Sequence, residues 1–187
     1  MSVAATHPAP WTAEDLYALP EDGMRHELLD GTLLVSPPPS VPHQLAARRL
    51  VAALSDAAGP DLEVLEAVGV AVPAGLLVPD VVVARATAVH AAARELRAED
   101  VLTVAEIVSP SSRTSDRRWK PEAYAEAGIG TYLRVELDAV GGPTILVFTL
   151  DAGAYRQTGE AVGGSPAELF VPYGVQLVAA ELRGPRA

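Results

Sequence analysis

Two carboxylates stand where the surrounding residues read as buried strand. Glu106 lies in Val101 to Val108 (VLTVAEIV), where period-2 counting puts Leu102, Val104, Glu106 and Val108 on one face and Val101, Thr103, Ala105 and Ile107 on the other. Both faces are mostly apolar, the pattern of a central strand. Asp80 repeats the anomaly in Val78 to Ala84 (VPDVVVA), sharing a face with Val78, Val82 and Ala84. A lone ionised carboxylate in such a run costs roughly several kcal/mol in desolvation unless a cation or a set of hydrogen bonds meets it. Each acid therefore needs a partner: a metal ion shared between them, or a buried Arg or Lys. Antiparallel neighbours would bring Asp80, at the start of one run, beside Glu106, near the end of the other; parallel neighbours would leave them nearer opposite ends. Ser109 and Pro110 end the second run, and Arg113, Arg117, Arg118 and Lys120 then place four of the fourteen basic residues within eight positions.

The order Pro79-Asp80, then Glu106-Ile107-Val108, then Lys120 in the following helix resembles the PD-(D/E)XK nuclease superfamily with its lysine moved. The usual lysine stands two residues after the second acid, where this chain has Val108. From about Trp11 to Asp138 the chain resembles the Uma family of bacterial proteins grouped with restriction endonucleases. The pieces that carry this likeness are His26-Glu27-Leu28-Leu29-Asp30-Gly31, Ser36-Pro37-Pro38, His43-Gln44, Pro79-Asp80-Val81, Glu106-Ile107-Val108-Ser109-Pro110-Ser111, and Lys120 followed by Tyr124-Ala125 and Gly128-Ile129. Singly each is weak; their order and spacing together are specific.

The resemblance implies an α/β chain of the mixed α+β kind with a restriction-endonuclease-like fold, a central mixed β-sheet with flanking helices and an N-terminal β-hairpin. It implies Mg²⁺ or Mn²⁺ on Asp80 and Glu106 with the Ile107 carbonyl as a further ligand. Lys120 would orient water and oppose phosphoryl charge. Glu27 would be a third acid, and His43 would face the site. Arg113, Arg117 and Arg118 would meet a DNA backbone without reading its sequence, and a homodimer is expected. Read without the resemblance, Glu27 is an edge-strand charge and His43 a surface or capping residue. Pro121 is the departure that matters most, because proline biases the residue before it away from the α region and deletes a helical hydrogen bond. A helix beginning near Lys120 would still let that lysine reach back to the strand ends, whereas one beginning at Asp116 should kink.

Phosphodiester cleavage needs a Lewis acid, a positioned water and a charge to steady the transition state, and these residues can supply all three. A metal-dependent endonuclease is therefore the leading reading. The alternatives are a catalytically silent homodimeric module that kept the fold, and a metal phosphodiesterase acting on small substrates. No serine has a neighbouring His–acid pair, so a serine hydrolase has little support.

Composition bounds these readings. The chain of 187 residues is 49% hydrophobic and 20% charged, which fits a single soluble domain over residues 11–187 after a disordered Ala/Pro-rich tail over 1–10. The absence of cysteine excludes disulfides and thiolate zinc sites. No apolar run suits a membrane span and the N-terminus lacks signal-peptide character, so a cytoplasmic protein is expected. The net charge of −10 works against tight non-specific DNA binding, leaving weak or specific contact through a locally cationic surface.

The elements expected to position the site follow from turn and cap signals. Thr12 starts a short helix stopped by Pro20, and Asp30-Gly31 closes a hairpin over His26 to Val35. Ser40 to Ala58 is a packing helix, Leu62 to Val72 a strand turning at Pro73 to Gly75 toward the Asp80 strand, and Thr87 to Ala98 an outer helix. Ser109 to Ser115 reads as a turn with an N-cap rather than a phosphate loop. Asp116 to Ala127 is a helix packing through Trp119, Ala123 and Ala127 and ending at Gly128. Thr131 to Leu137, Thr144 to Leu150 and a short Ala154 to Thr158 extend the sheet. Pro166 to Leu182 adds a last strand or two, with Tyr173-Gly174 as mere punctuation.

Overall fold

The computed structural model describes residues 2–3 and 10–183. Most of the expected tail, like residues 184–187, lies outside these, but Ser2–Val3 (β1) pair with Val35 and Leu34. Thr12 opens α1 (Ala13–Tyr17) with a reciprocal capping box to Asp15, satisfying two N–H groups that a helix start leaves free. Asp30 and Gly31 take φ of 48° and 70°, the type I′ geometry whose twist matches that of flanking strands. They join β2 (Arg25–Leu29) to β3 (Thr32–Ser36) as the sequence predicts. After the triple proline, α2 (Val41–Ala57) buries Ala46, Ala47, Leu50 and Leu54 along one stripe.

The run from Leu62 to Val72 is not one strand. It divides into β4 (Leu62–Glu66) and β5 (Gly69–Val72), which lie in different sheets, and the chain crosses between them at Ala67 with φ 50°. Alternation of apolar residues runs through both pieces, so the pattern hides the break. β5 makes a hairpin with β6 (Gly75–Leu77), and only then does β7 (Val81–Arg85) return beside β4. The outer helix is also shorter than expected. It stops as α3 (Ala86–Ala91), and Glu95–Arg97 becomes β8, parallel to β5, followed by a 3-10 turn over Ala98–Asp100. Burial of Leu96 against the second core outweighs the helix propensity of the alanines around it.

β9 (Val101–Val108) is the central strand that its composition predicts, antiparallel to β7 on one side and parallel to β10 (Thr131–Glu136) on the other. β11 (Thr144–Asp151) and a nine-residue β12 (Ala154–Val162) complete a sheet ordered β12-β11-β10-β9-β7-β4. The second sheet is ordered β1-β3-β2-β6-β5-β8. A hairpin of β13 (Ala167–Phe170) and β14 (Gly174–Leu177) precedes α5 (Ala179–Arg183).

Between β9 and β10 the helix begins before Lys120, yet Lys120 itself is helical at φ −63° and ψ −45°. A π turn over Ser115–Trp119 leads into α4 (Lys120–Glu126), so the wider turn accommodates the missing N–H and the ring of Pro121. Gly128, at φ 77°, ends the helix, with the Ile129 N–H reaching the Tyr124 carbonyl at 3.1 Å.

The alternating faces of β7 and β9 separate two cores. Val81, Val83, Ala105 and Ile107 pack toward α2, α5 and β14, while Val82, Ala84 and Val104 pack toward Ala123 and Tyr124 of α4. Trp119 does not join this packing face as expected; it is 44% exposed. Tyr173 is more than punctuation, since its hydroxyl donates to the Leu54 carbonyl at 2.8 Å and its ring packs on the first core.

The second sheet depends on close approach of β2 and β6. Gly75 has φ 141°, and a Cβ there would lie 2.4 Å from the Leu28 carbonyl oxygen. Gly75→Ala is expected to destabilise the protein by about 1 to 3 kcal/mol through strain alone, measured as a lowered urea midpoint with an unchanged m-value.

Candidate functional site

Antiparallel pairing of β7 with β9 sets Val81 opposite Ala105, which brings Asp80 to the end of β9 carrying Glu106. Asp80 Oδ2 accepts the Ile107 N–H at 2.8 Å, so the acid replaces a ladder carbonyl where the strand pairing stops. Three further elements converge there. On β2, Arg25 and Glu27 are two residues apart and share a face. Arg25 Nη1 lies 2.7 Å from Asp80 Oδ1 and also reaches the Val78 carbonyl at 3.4 Å. Near the start of α2, His43 Nε2 lies 3.0 Å from Asp80 Oδ2. From α4, Lys120 Nζ stands 2.7 Å from Glu27 Oε1 and 3.1 Å from Glu106 Oε1. The Tyr124 hydroxyl donates to that same Glu106 oxygen at 2.6 Å. Glu27 Oε1 also accepts the Val78 N–H at 2.8 Å.

These groups are deeply buried: Glu106 is wholly inaccessible and Glu27, Lys120 and Asp116 each 2% exposed. Four carboxylates, those of Glu27, Asp80, Glu106 and Asp116, thus face two permanent cations, Arg25 and Lys120. Their proton affinities diverge accordingly. Burial pushes Asp80 up, but the hydrogen bond and charge of His43 and the charge of Arg25 outweigh it and hold its carboxyl down at about 2. Burial drives Glu106 well above the usual carboxylate range, Lys120 opposes this, and Asp116, Asp80 and Glu27 add to it. Burial pulls Lys120 down, yet Glu106, Glu27 and Asp116 raise it overall, so the ammonium stays charged. Glu106 Oε2 is buried and has no hydrogen-bond partner.

The chain's sequence matches the model of the Uma2 family, described as "putative restriction endonuclease", over residues 13–180. The chain belongs to the Uma2 family. A crystal structure described as "a putative nuclease belonging to DUF820", from Anabaena variabilis ATCC 29413, is similar in fold, with a TM-score of 0.65. It is 16% identical over 86% of this chain and 88% of that one. No curated protein matches. The fold is restriction-endonuclease-like, as the mixed sheets and the hairpin on β2 and β3 lead one to expect.

In this Uma2 chain the structure gathers Asp80, Glu106, Ile107, Lys120, Glu27 and His43 in one place. Lys120 is not displaced by Pro121, because the π turn keeps its side chain aimed at β9. Arg113, Arg117 and Arg118 are not part of the cluster. All three are exposed, and Arg117 binds Glu136 through Nε and Nη2 at 2.9 and 2.8 Å. The serines of the preceding loop bond one another, Ser109 with Ser112, as a turn does. Sequence reasoning gave no site role to Arg25, Asp116 or Tyr124, although Tyr124 stands in one of the pieces that carry the family likeness. The available signals were period 2 from Glu27 for Arg25, and four-residue steps from Lys120 for the other two.

Among the described residues, no three His, Asp or Glu side chains are gathered as a ready metal cage. The donors nevertheless suit a hard cation, because Mg²⁺ commonly takes one or two carboxylates and keeps several waters. The unpartnered Glu106 oxygen is an acceptor of that kind.

The two acids should oppose each other in stability. Asp80, held near 2, contributes about 2 to 3 kcal/mol above pH 4, and that contribution is lost as pH falls toward its folded value. Glu106, raised from 4.5, keeps a proton that the unfolded chain releases, so its effect is destabilising as pH rises past 4.5. Urea unfolding from pH 3 to 8 should show Asp80→Asn weaker than wild type, with the gap closing in acid. Glu106→Gln should be more stable than wild type at pH 8 and indistinguishable at pH 4.

Proposed function

We propose that this chain is a divalent-metal-dependent endonuclease that hydrolyses DNA phosphodiester bonds. The observation that carries the reading is Glu106 Oε2, unpartnered among four buried carboxylates that face only two permanent cations. Family membership and the likeness in fold to a protein described as a nuclease support the reaction class. Asp80 and Glu106 would hold Mg²⁺ or Mn²⁺, with the Ile107 carbonyl beside them. When bound, such an ion supplies a Lewis acid for the non-bridging oxygen and lowers the pKa of water.

The remaining work falls to the chain's own side chains. Lys120 is pinned by Glu27 and Glu106, which hold its charge at the end of β9. In that position it would orient the attacking water and oppose the charge that builds on the phosphoryl oxygens. Tyr124 fixes Glu106 Oε1, leaving Oε2 as the free oxygen. Glu27, bonded to the Val78 N–H and Lys120, keeps the lysine on the β9 side of the site. The net charge of −10 favours weak or specific contact with DNA over tight non-specific binding.

The test is cleavage of plasmid and oligonucleotide DNA with Mn²⁺ or Mg²⁺. Wild type should cleave, and Lys120→Met should lose about 100-fold or more in rate while retaining the metal seen by calorimetry. Hydrolysis of bis(p-nitrophenyl) phosphate without any DNA cleavage would instead assign a small phosphodiester substrate. Absence of both activities in protein that binds Mn²⁺ would contradict the catalytic reading and leave a silent interaction module.

A further inference from the structure

The two acids proposed to hold the metal differ in what a cation would meet on arriving. Lys120 and Tyr124 both contact Glu106 Oε1, which leaves Oε2 without a partner. Asp80 has both oxygens engaged. Its Oδ2 accepts the Ile107 N–H at 2.8 Å and lies 3.0 Å from His43 Nε2, while Oδ1 lies 2.7 Å from Arg25 Nη1. These donors take three of the roughly four lone-pair positions of a carboxylate. A metal ion reaching Asp80 Oδ1 would also stand against a guanidinium already in contact with it, like charge beside like charge.

Of the three donors, Arg25 is the one free to leave. The Ile107 N–H is fixed in the backbone of β9, and His43 is only 11% exposed. Arg25 has a long side chain, 25% exposed, whose second contact, to the Val78 carbonyl, is 3.4 Å long. It stands on the wall of a cavity of about 320 Å³ that also carries Glu66, an exposed carboxylate able to receive a released guanidinium. Its electrostatic setting is that of a counter-ion to the whole site. Burial pulls the pKa of Arg25 down, yet the charges of Asp80, Glu27 and Glu106 raise it overall. Three of the four enclosed acids thus act on this one cation in the metal-free chain.

We propose that Arg25 is the built-in rival of the divalent metal: it neutralises Asp80 in the metal-free protein and releases that carboxylate, swinging into the cavity toward Glu66, when the ion binds. This deepens the metal-dependent reading and rests on it. The exchange replaces a single positive charge at Asp80 by a double one, which brings the enclosed acids nearer to balance. A monovalent cation gains no charge by the same exchange, so Arg25 makes the site selective against Na⁺ and K⁺. Until the ion arrives, the arginine keeps Asp80 ionised and oriented.

The sign of one mutational effect decides between a rival and a mere support. Mn²⁺ is titrated by calorimetry into the full chain at constant ionic strength, wild type beside Arg25→Gln and Arg25→Lys. An arginine that only holds Asp80 in place predicts weaker Mn²⁺ binding in Arg25→Gln. A rival predicts tighter binding, by about tenfold or more for one charge removed at contact distance. Arg25→Lys, which keeps the charge, should stay close to wild type. Without metal the melting temperature of Arg25→Gln should lie below that of wild type, and saturating Mn²⁺ should narrow the gap. Equal or weaker Mn²⁺ binding in folded Arg25→Gln, with wild type binding normally, overturns the proposal and leaves the metal reading standing. No Mn²⁺ binding in any of the three proteins overturns both. Should Arg25→Gln fail to fold, wild type itself supplies the test through NMR of isotope-labelled arginine. The Arg25 Nη–H signal, assigned by its loss in Arg25→Lys, should exchange faster with water once diamagnetic Mg²⁺ saturates the site. An unchanged or slower exchange overturns the proposal.

Discussion

The buried ammonium of Lys120, shared by Glu27 and Glu106, is the contact on which the rest of this structure depends. It joins the hairpin on β2, the central strand β9 and the helix α4 through charge. Removing Lys120 from its pair with Glu27 costs about 3 to 5 kcal/mol, because the carboxylate left behind has no solvent. Strand register and the π turn bring these three side chains together. The π turn in particular resolves a local conflict, letting a proline follow the lysine without turning the lysine away from the site.

A second constraint is the sign of the enclosed charge. Arg25 neutralises Asp80, and Lys120 serves two acids at once, so Glu106 and Asp116 are raised by burial and by their acidic neighbours. Apolar packing cannot relieve this. A bound cation can, and the proposed function turns the imbalance into the affinity of the site for a divalent ion. On this view Glu106 destabilises the metal-free protein for the sake of function, a trade common at active sites.

Much of this was legible in the sequence because the relevant signals are local. A carboxylate in an otherwise apolar eight-residue run marks both the central strand and the site, and Asp30-Gly31 fixes the hairpin that carries Glu27. The antiparallel alternative for Asp80 and Glu106 followed from where each acid sits in its run. What was hidden is set by tertiary context. Leu62 to Val72 alternates continuously, yet Ala67 hands the chain from one sheet to the other. Ala-rich residues after Thr87 favour helix, yet Leu96 is needed in a core. Arg25 and Asp116 carry no local mark in the sequence, and Tyr124 entered only as a piece of the family likeness, until packing sets all three around Glu106 and Asp80. The arginines after Ser109 stay exposed and outside the cluster of acids.

The most direct measurement is the number of Mn²⁺ ions bound per chain, by electron paramagnetic resonance of the free ion in protein without DNA. One tight Mn²⁺ per chain in wild type, absent in both Glu106→Gln and Asp80→Asn while each remains folded, is the expected result. No tight site in wild type, or the same occupancy after Glu106→Gln, would contradict the assignment of the enclosed carboxylates to a metal-dependent reaction.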